Sequence, residues 1–245
     1  MVAERRTKRA VSGRELSKKE EREARILDAT AELLQKWGYR KTTIEDIARA
    51  AGVSKATVYL SWKTREALLM ALIEREQRAA YDEIIQRMEE DPEGMTLPGL
   101  VKHSILTTFK KPLLKSLVLQ DSRFLGELLL REYNETAYQA QMQGYMTVMN
   151  LLRKLGVIRD DVDLREQAVM LISVSWGFLL TDPLLPPEFK FASDEEMVER
   201  IYRTLQRLLE PDIPPSAEQI REGKRAFKAY MEQVVAILHA TESSV

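Results

Sequence analysis

Apolar positions recur every three to four residues along most of the chain, and strand-like alternation never lasts more than a few residues. The pattern predicts helices almost throughout. In a first helix, Ser17 and Glu20 offer a capping box, and Ile26, Ala29, Leu33, Leu34 and Trp37 form one apolar stripe that Gly38 ends. A long helix starts at Thr64 and carries Leu68, Leu69, Leu72, Ile73, Tyr81, Ile84, Ile85 and Met88 on one face, until Asp91-Pro92-Glu93-Gly94 stops it. At about 1.5 Å per residue it spans roughly 40 Å. Further helices are expected at residues 97–109, 113–119, 124–155, 164–180, 194–209 and 217–239, set apart by Pro and Gly.

Residues 42–63, between the first and the long helix, carry a denser pattern. Ile44, Ile47, Ala48 and Ala51 give a short helix one apolar face, with Thr43 as its cap and Asp46 at the reciprocal capping-box position. Gly52 stands where that helix must end and the chain must turn. Ser54 can cap a second short helix whose inward residue is Val58, leaving Lys55, Thr57 and Tyr59 to face outward. Two small helices joined by a glycine turn, the second polar on its outer face, form a helix-turn-helix. An ordinary helical hairpin within an α-domain shares that spacing. In the DNA-binding form the second helix enters the major groove. Lys55 and Thr57 then meet base edges, a lysine donating to guanine acceptors and a threonine methyl touching thymine.

The run Val58-Tyr59-Leu60-Ser61-Trp62-Lys63-Thr64-Arg65-Glu66-Ala67-Leu68-Leu69 closely resembles the end of the TetR-family DNA-binding domain. Thr43, Ile47-Ala48, Gly52-Val53-Ser54, Thr57, Tyr59, Trp62 and Leu68 fall in register with that pattern, and the resemblance covers about residues 22–72. It implies that Tyr59 and Lys63 hold phosphates, that Thr43 does so from the preceding helix, and that Arg65 is a further candidate. Ser54 and Ala56, flanking Lys55, complete the expected DNA-contacting set. Leu60 and Ser61 stand where many members carry an aromatic and a histidine, so the family's DNA site does not transfer base by base.

Charge agrees with a polyanion-binding N-terminal part. Residues 1–65 hold 16 Lys and Arg against 9 Asp and Glu, a balance of +7, and the remainder carries −8. Residues 1–16, with Arg5, Arg6, Lys8, Arg9 and Arg14, read as a disordered basic arm, able to lie along DNA or remain a solvated tail. With no Cys, thiolate catalysis is excluded. His103 and His239, the only two histidines, lie far apart in sequence, so no metal site, catalytic residues or cofactor are expected. No apolar run reaches the length of a membrane span, and the basic N-terminus lacks a signal-peptide core. A cytoplasmic location is expected by default.

The sequence thus predicts an all-α protein in three parts: the arm (1–16), a three-helix helix-turn-helix domain (17–64), and a larger helical ligand-binding and dimerisation domain (65–245). His103, Thr107, Phe124, Tyr138, Met142, Tyr145, Met146 and Trp176 are candidates to line an apolar effector pocket, although core packing accounts equally for their spacing. Ile172, Trp176, Leu179, Ile201, Leu205 and Leu208 are candidates for a homodimer interface, which the resemblance places on the late helices. The helix at 217–239 can cap the domain, extend that interface or cover the pocket. The expected function is a transcriptional regulator, a repressor that binds a palindromic operator as a dimer and is released by a small, largely apolar effector. A regulator of the same fold answering to a protein partner, and an α-helical enzyme, are the alternatives.

Overall fold

The structure, a computed structural model, describes residues 2–91, 94–119 and 142–240, with side chains between Lys18 and Val234. Among the described residues there are helices and turns and no strand, as the apolar periodicity predicts. In chain order the helices are α1 (Val2–Lys41), α2 (Ile44–Ala50), α3 (Lys55–Ser61), α4 (Arg65–Glu90), α5 (Leu97–Phe109), α6 (Pro112–Val118), α7 (residues 142–154), α8 (Leu164–Thr181), α9 (Asp194–Leu209) and α10 (Ala217–Ala240). Two short 3₁₀ turns, Asp182–Leu184 and Pro187–Phe189, follow α8. The described residues form two compact units, the first ending at Arg75 and the second starting at Glu76.

The first unit is built on α1. Its helix begins at Val2. Residues 2–16 contain no proline and are rich in Ala, Arg, Lys and Glu, which lose little freedom in a helix. Gly38, at φ 72°, breaks α1 in a conformation that costs side chains with a Cβ but not glycine. Ile26, Leu27, Ala29 and Leu34 of α1 are buried, as are Ile44, Ile47 and Ala48 of α2 and Val58 of α3. Leu68, Leu69, Leu72 and Ile73 from the first turns of α4 complete the buried set. The unit takes in the first three turns of α4. An Arg75–Asp28 ion pair of 2.7 Å ties those turns back to α1. Trp37, expected in the apolar stripe, is 41% exposed, with Lys36 over its ring.

In the second unit α9 is the central strut. Met197, Val198, Ile201, Tyr202, Leu205 and Leu209 lie on one face and are all buried, packed chiefly against α5 and α8. The core they share includes Val101 and Ile105 of α5, Val148, Met149 and Leu152 of α7, and Ala168 and Leu171 of α8. The last helix, α10, belongs to this core: Phe227 and Met231 are buried in it, and the Tyr230 hydroxyl donates to the Gly144 carbonyl (3.2 Å). Of the three roles open to residues 217–239, capping the domain is the one this packing describes.

Against the expectation that no run is long enough, Leu164–Leu184 has the length and mean hydropathy (1.2) of a membrane span. Only 28% of that stretch is buried within the chain. Val169, Met170 and Leu180 are 48%, 44% and 47% exposed. The apolar character of α8 thus exceeds what its own unit covers.

Candidate nucleic-acid interface

Local chemistry fixes both short helices. The Asp46 amide donates to Thr43 Oγ1 (3.2 Å), capping α2, while the Thr43 hydroxyl donates to the Asp46 carboxylate (2.6 Å). That hydroxyl, aided by the Arg49 guanidinium, holds the Asp46 carboxyl below its ordinary value. At the other end of α2 the Val53 amide donates to Ala48 O (2.9 Å) and the Gly52 amide to Arg49 O (3.2 Å). These two bonds and the left-handed Gly52 (φ 67°) form a Schellman motif. Helix α3 starts two residues later, with the Thr57 amide donating to Ser54 Oγ (3.1 Å).

Val58, fully buried, is the one side chain of α3 that the core encloses. Ser54, Lys55, Ala56, Tyr59, Leu60 and Lys63 are exposed, and Thr57 is half-buried. Leu60 stands out at 72% exposure. Lys55 is paired with Glu45 of α2 and lies 5.8 Å from the Tyr59 ring centroid. Each partner perturbs the other: Lys55 lowers the Glu45 carboxyl, and Glu45 raises the Lys55 ammonium. The Lys63 ammonium donates to the Tyr59 carbonyl (3.4 Å) at the end of α3.

Arg65 occupies a different place from the other expected DNA contacts. Its guanidinium lies 3.8 Å over the Tyr39 ring and donates to the Tyr39 carbonyl, while the Tyr39 hydroxyl donates to Glu66 (3.0 Å). It is a half-buried brace between the end of α1 and the start of α4, rather than a free surface cation. Sequence reasoning missed both Glu45 and Tyr39 as partners. Ten residues separate Glu45 from Lys55 and 26 separate Tyr39 from Arg65, so only the turn geometry brings them together.

Residues 26–72 match the family model for bacterial regulatory proteins of the tetR family. The match identifies residues 26–72 as a TetR-type DNA-binding domain. Its relatives include the fatty acid metabolism regulator protein of Bacillus subtilis, 36% identical over 66 residues (27% of this chain, 32% of the relative). The HTH-type transcriptional regulator EthR of Mycolicibacterium smegmatis is 30% identical over 84 residues, covering 33% of this chain and 39% of that one. The matched region thus spans little more than a third of these relatives' length. Solved structures share the fold more widely. NalD, the secondary repressor of the MexAB-OprM multidrug efflux pump in Pseudomonas aeruginosa, has a TM-score of 0.55 at 24% identity, over 78% of this chain and 97% of that one. FadR from Bacillus subtilis, solved with stearoyl-CoA, has a TM-score of 0.56 at 19% identity, over 76% and 97%.

The second unit distributes the remaining candidates unevenly. His103 and Thr107 are buried one turn apart on α5. Met142, Tyr145 and Met146 are half-buried against the core, Trp176 is half-buried on α8, and Phe124 and Tyr138 lie outside the described residues. For pairing, Ile201, Leu205 and Leu179 are buried in the chain's own core and present no surface, while Ile172 and Leu208 are half-buried. The reason is visible in α9: its apolar stripe docks inward, and Arg200, Arg203 and Arg207 line its outer side.

Proposed function

We propose that this chain is a TetR-family DNA-binding transcriptional regulator, acting as a repressor that holds a palindromic operator as a homodimer and releases it on binding a small, largely apolar effector. The observation that carries the reading is α3. It is anchored inward by Val58 alone, fixed at its start by Ser54 and exposed along Lys55, Ala56 and Tyr59. In the major groove such a helix sets Lys55 and Thr57 against base edges, with Tyr59, Lys63 and Thr43 on phosphates. Lys55 would exchange Glu45 for a base edge there, and Arg65 would keep the head rigid from behind.

Pairing is proposed through α8 rather than α9. Val169, Ser173, Gly177 and Leu180 recur at helical spacing and are all exposed. Ser173 and Gly177 also line a shallow groove of about 290 Å³ along that helix. A two-fold interface of this kind repeats one patch on both copies and presents two heads to an inverted repeat. Effector binding in the second unit would favour a spacing of heads that does not fit both half-sites. FadR, solved with stearoyl-CoA, is a protein of this fold with a bound small molecule. Such a regulator would work in the cytoplasm, where the chromosome lies.

The experiment is fluorescence anisotropy on duplex DNA at several salt concentrations. Log affinity should fall linearly with log salt, and Lys63→Ala should reduce the slope by about 1. A salt-independent affinity, or none at low salt, would defeat the proposal.

A further inference from the structure

Among the described residues, three buried side-chain polar atoms have no hydrogen-bond partner: Arg22 Nε, His103 Nδ1 and Thr107 Oγ1. The last two lie one turn apart on α5, on the side of that buried helix turned away from Val101 and Ile105. Orphaned buried polar groups are costly and rare, and a pair at helical spacing calls for a reason.

Thr107 is unusual in a specific way. A helical Ser or Thr ordinarily donates to the carbonyl four residues back. Thr30 does so to Ile26 (2.7 Å), Ser175 to Leu171 (2.8 Å) and Thr204 to Arg200 (2.8 Å). Thr107 is fully buried yet leaves the His103 carbonyl untouched.

His103 has a defined protonation pattern. Its Nε2 lies 3.0 Å from an Asp91 carboxylate oxygen that also receives Lys102 at 3.1 Å. A carboxylate accepts, so Nε2 carries the proton. Burial pushes the ring below the ordinary histidine value and so favours the neutral form, against the pull of Asp91 toward the charged one. Neutral His103 therefore turns a bare lone pair at Nδ1 toward whatever meets it.

Resting on the effector-release reading above, we propose that His103 and Thr107 form the polar end of the effector site and bind a single neutral hydroxyl group, an alcohol or a phenol, on an apolar molecule. Its proton goes to His103 Nδ1 and its oxygen accepts from the Thr107 hydroxyl. Side chains four apart on a helix carry Cβ atoms about 5–6 Å apart. One oxygen making two hydrogen bonds of about 2.8 Å bridges such a span. A carboxylate or phosphate does not satisfy the pair, because it has no proton for Nδ1. It would also enter buried, with the nearby Lys102 already engaged by Asp91.

The test titrates the full-length protein with hexyl-to-dodecyl and biaryl scaffolds. Each is supplied as the alcohol or phenol, as its methyl ether and as the carboxylate, with binding read by calorimetry. The hydroxyl form should bind roughly tenfold or more tightly than its ether, about one hydrogen bond's worth. Because an ether oxygen can also accept from Thr107, Thr107→Val should weaken the hydroxyl and ether forms alike and leave the preference. Thr107→Ser should restore both affinities, and His103→Phe, which removes the Nδ1 acceptor, should erase the preference while keeping ether binding. Thr107→Val should also raise the melting temperature of the free protein, since it removes an unpaired buried hydroxyl, and so shows that the variant folds. Equal affinity of hydroxyl and ether forms, a preference that survives His103→Phe, or hydroxyl and ether affinities untouched by Thr107→Val would overturn the inference and leave an effector site standing. No binding by any member of the set would overturn the effector reading itself, and this inference with it.

Discussion

Replacing Gly52 by alanine separates two reasons for a glycine in the turn. A Cβ built there meets no heavy atom within 4 Å, so packing sets no cost. The backbone does: at φ 67° the residue is left-handed, which costs a non-glycine residue roughly 1–2 kcal/mol. Alanine also restricts the unfolded chain, which returns about 0.4–1 kcal/mol. The expected net loss is therefore about 1 kcal/mol, a factor of about five in the local opening equilibrium. Gly52→Asn should lose less, because asparagine tolerates the left-handed region. Hydrogen exchange of the Val53 and Gly52 amides, which close the Schellman motif, reads the effect directly. An alanine cost above about 3 kcal/mol, or asparagine no better than alanine, would refute the reasoning, since each points to a steric neighbour the structure lacks.

Three further outcomes follow. Ser54→Ala and Thr43→Ala should each cost about 1 kcal/mol of head stability by leaving an amide uncapped, measured by exchange at Thr57 and Asp46; unchanged protection at either site would remove that cap from the account. Arg65→Ala should lower head stability by loosening Tyr39, while the salt slope of DNA binding stays at the wild-type value; a slope reduced by about 1 would make Arg65 a phosphate contact after all. Because the folded His103 is pushed below 6.5 by burial, with Asp91 opposing and Lys102 and Arg87 adding to the shift, its contribution is intact above 6.5 and is lost as pH falls from there through the folded value. Melting temperatures across that window should fall less steeply in His103→Gln, and an identical slope would place the acid sensitivity elsewhere.

The caps, the turn glycines and the buried stripes of α2, α3 and α9 were legible in the sequence, because each rests on residues within one or two turns of one another. What the residue pattern could not show is what covers an apolar face. Ile201 and Leu205 are spaced as well for a partner as for the core, and only the packing of α9 on α5 assigns them inward. Trp37 fits the stripe of α1 by spacing yet stays at the surface. Long-range pairing hid Arg65 and Glu45, whose partners are chosen by how the chain turns at Gly38 and Gly52. The edge of the first unit leaves no mark in the residue pattern either: α4 is one unbroken helix, and its pattern does not change at Arg75.

The claim that most needs testing is that the α2–α3 head reads DNA sequence through the outer face of α3. The direct measurement is selection of genomic fragments by the full-length chain, run beside a Lys55→Ala, Tyr59→Ala double variant with binding tracked by sequencing. The wild type should enrich an inverted repeat with half-sites about one helical turn, or a multiple of it, apart, and the variant should lose that enrichment. No enriched sequence with the wild type, or the same repeat recovered by the variant, would contradict it.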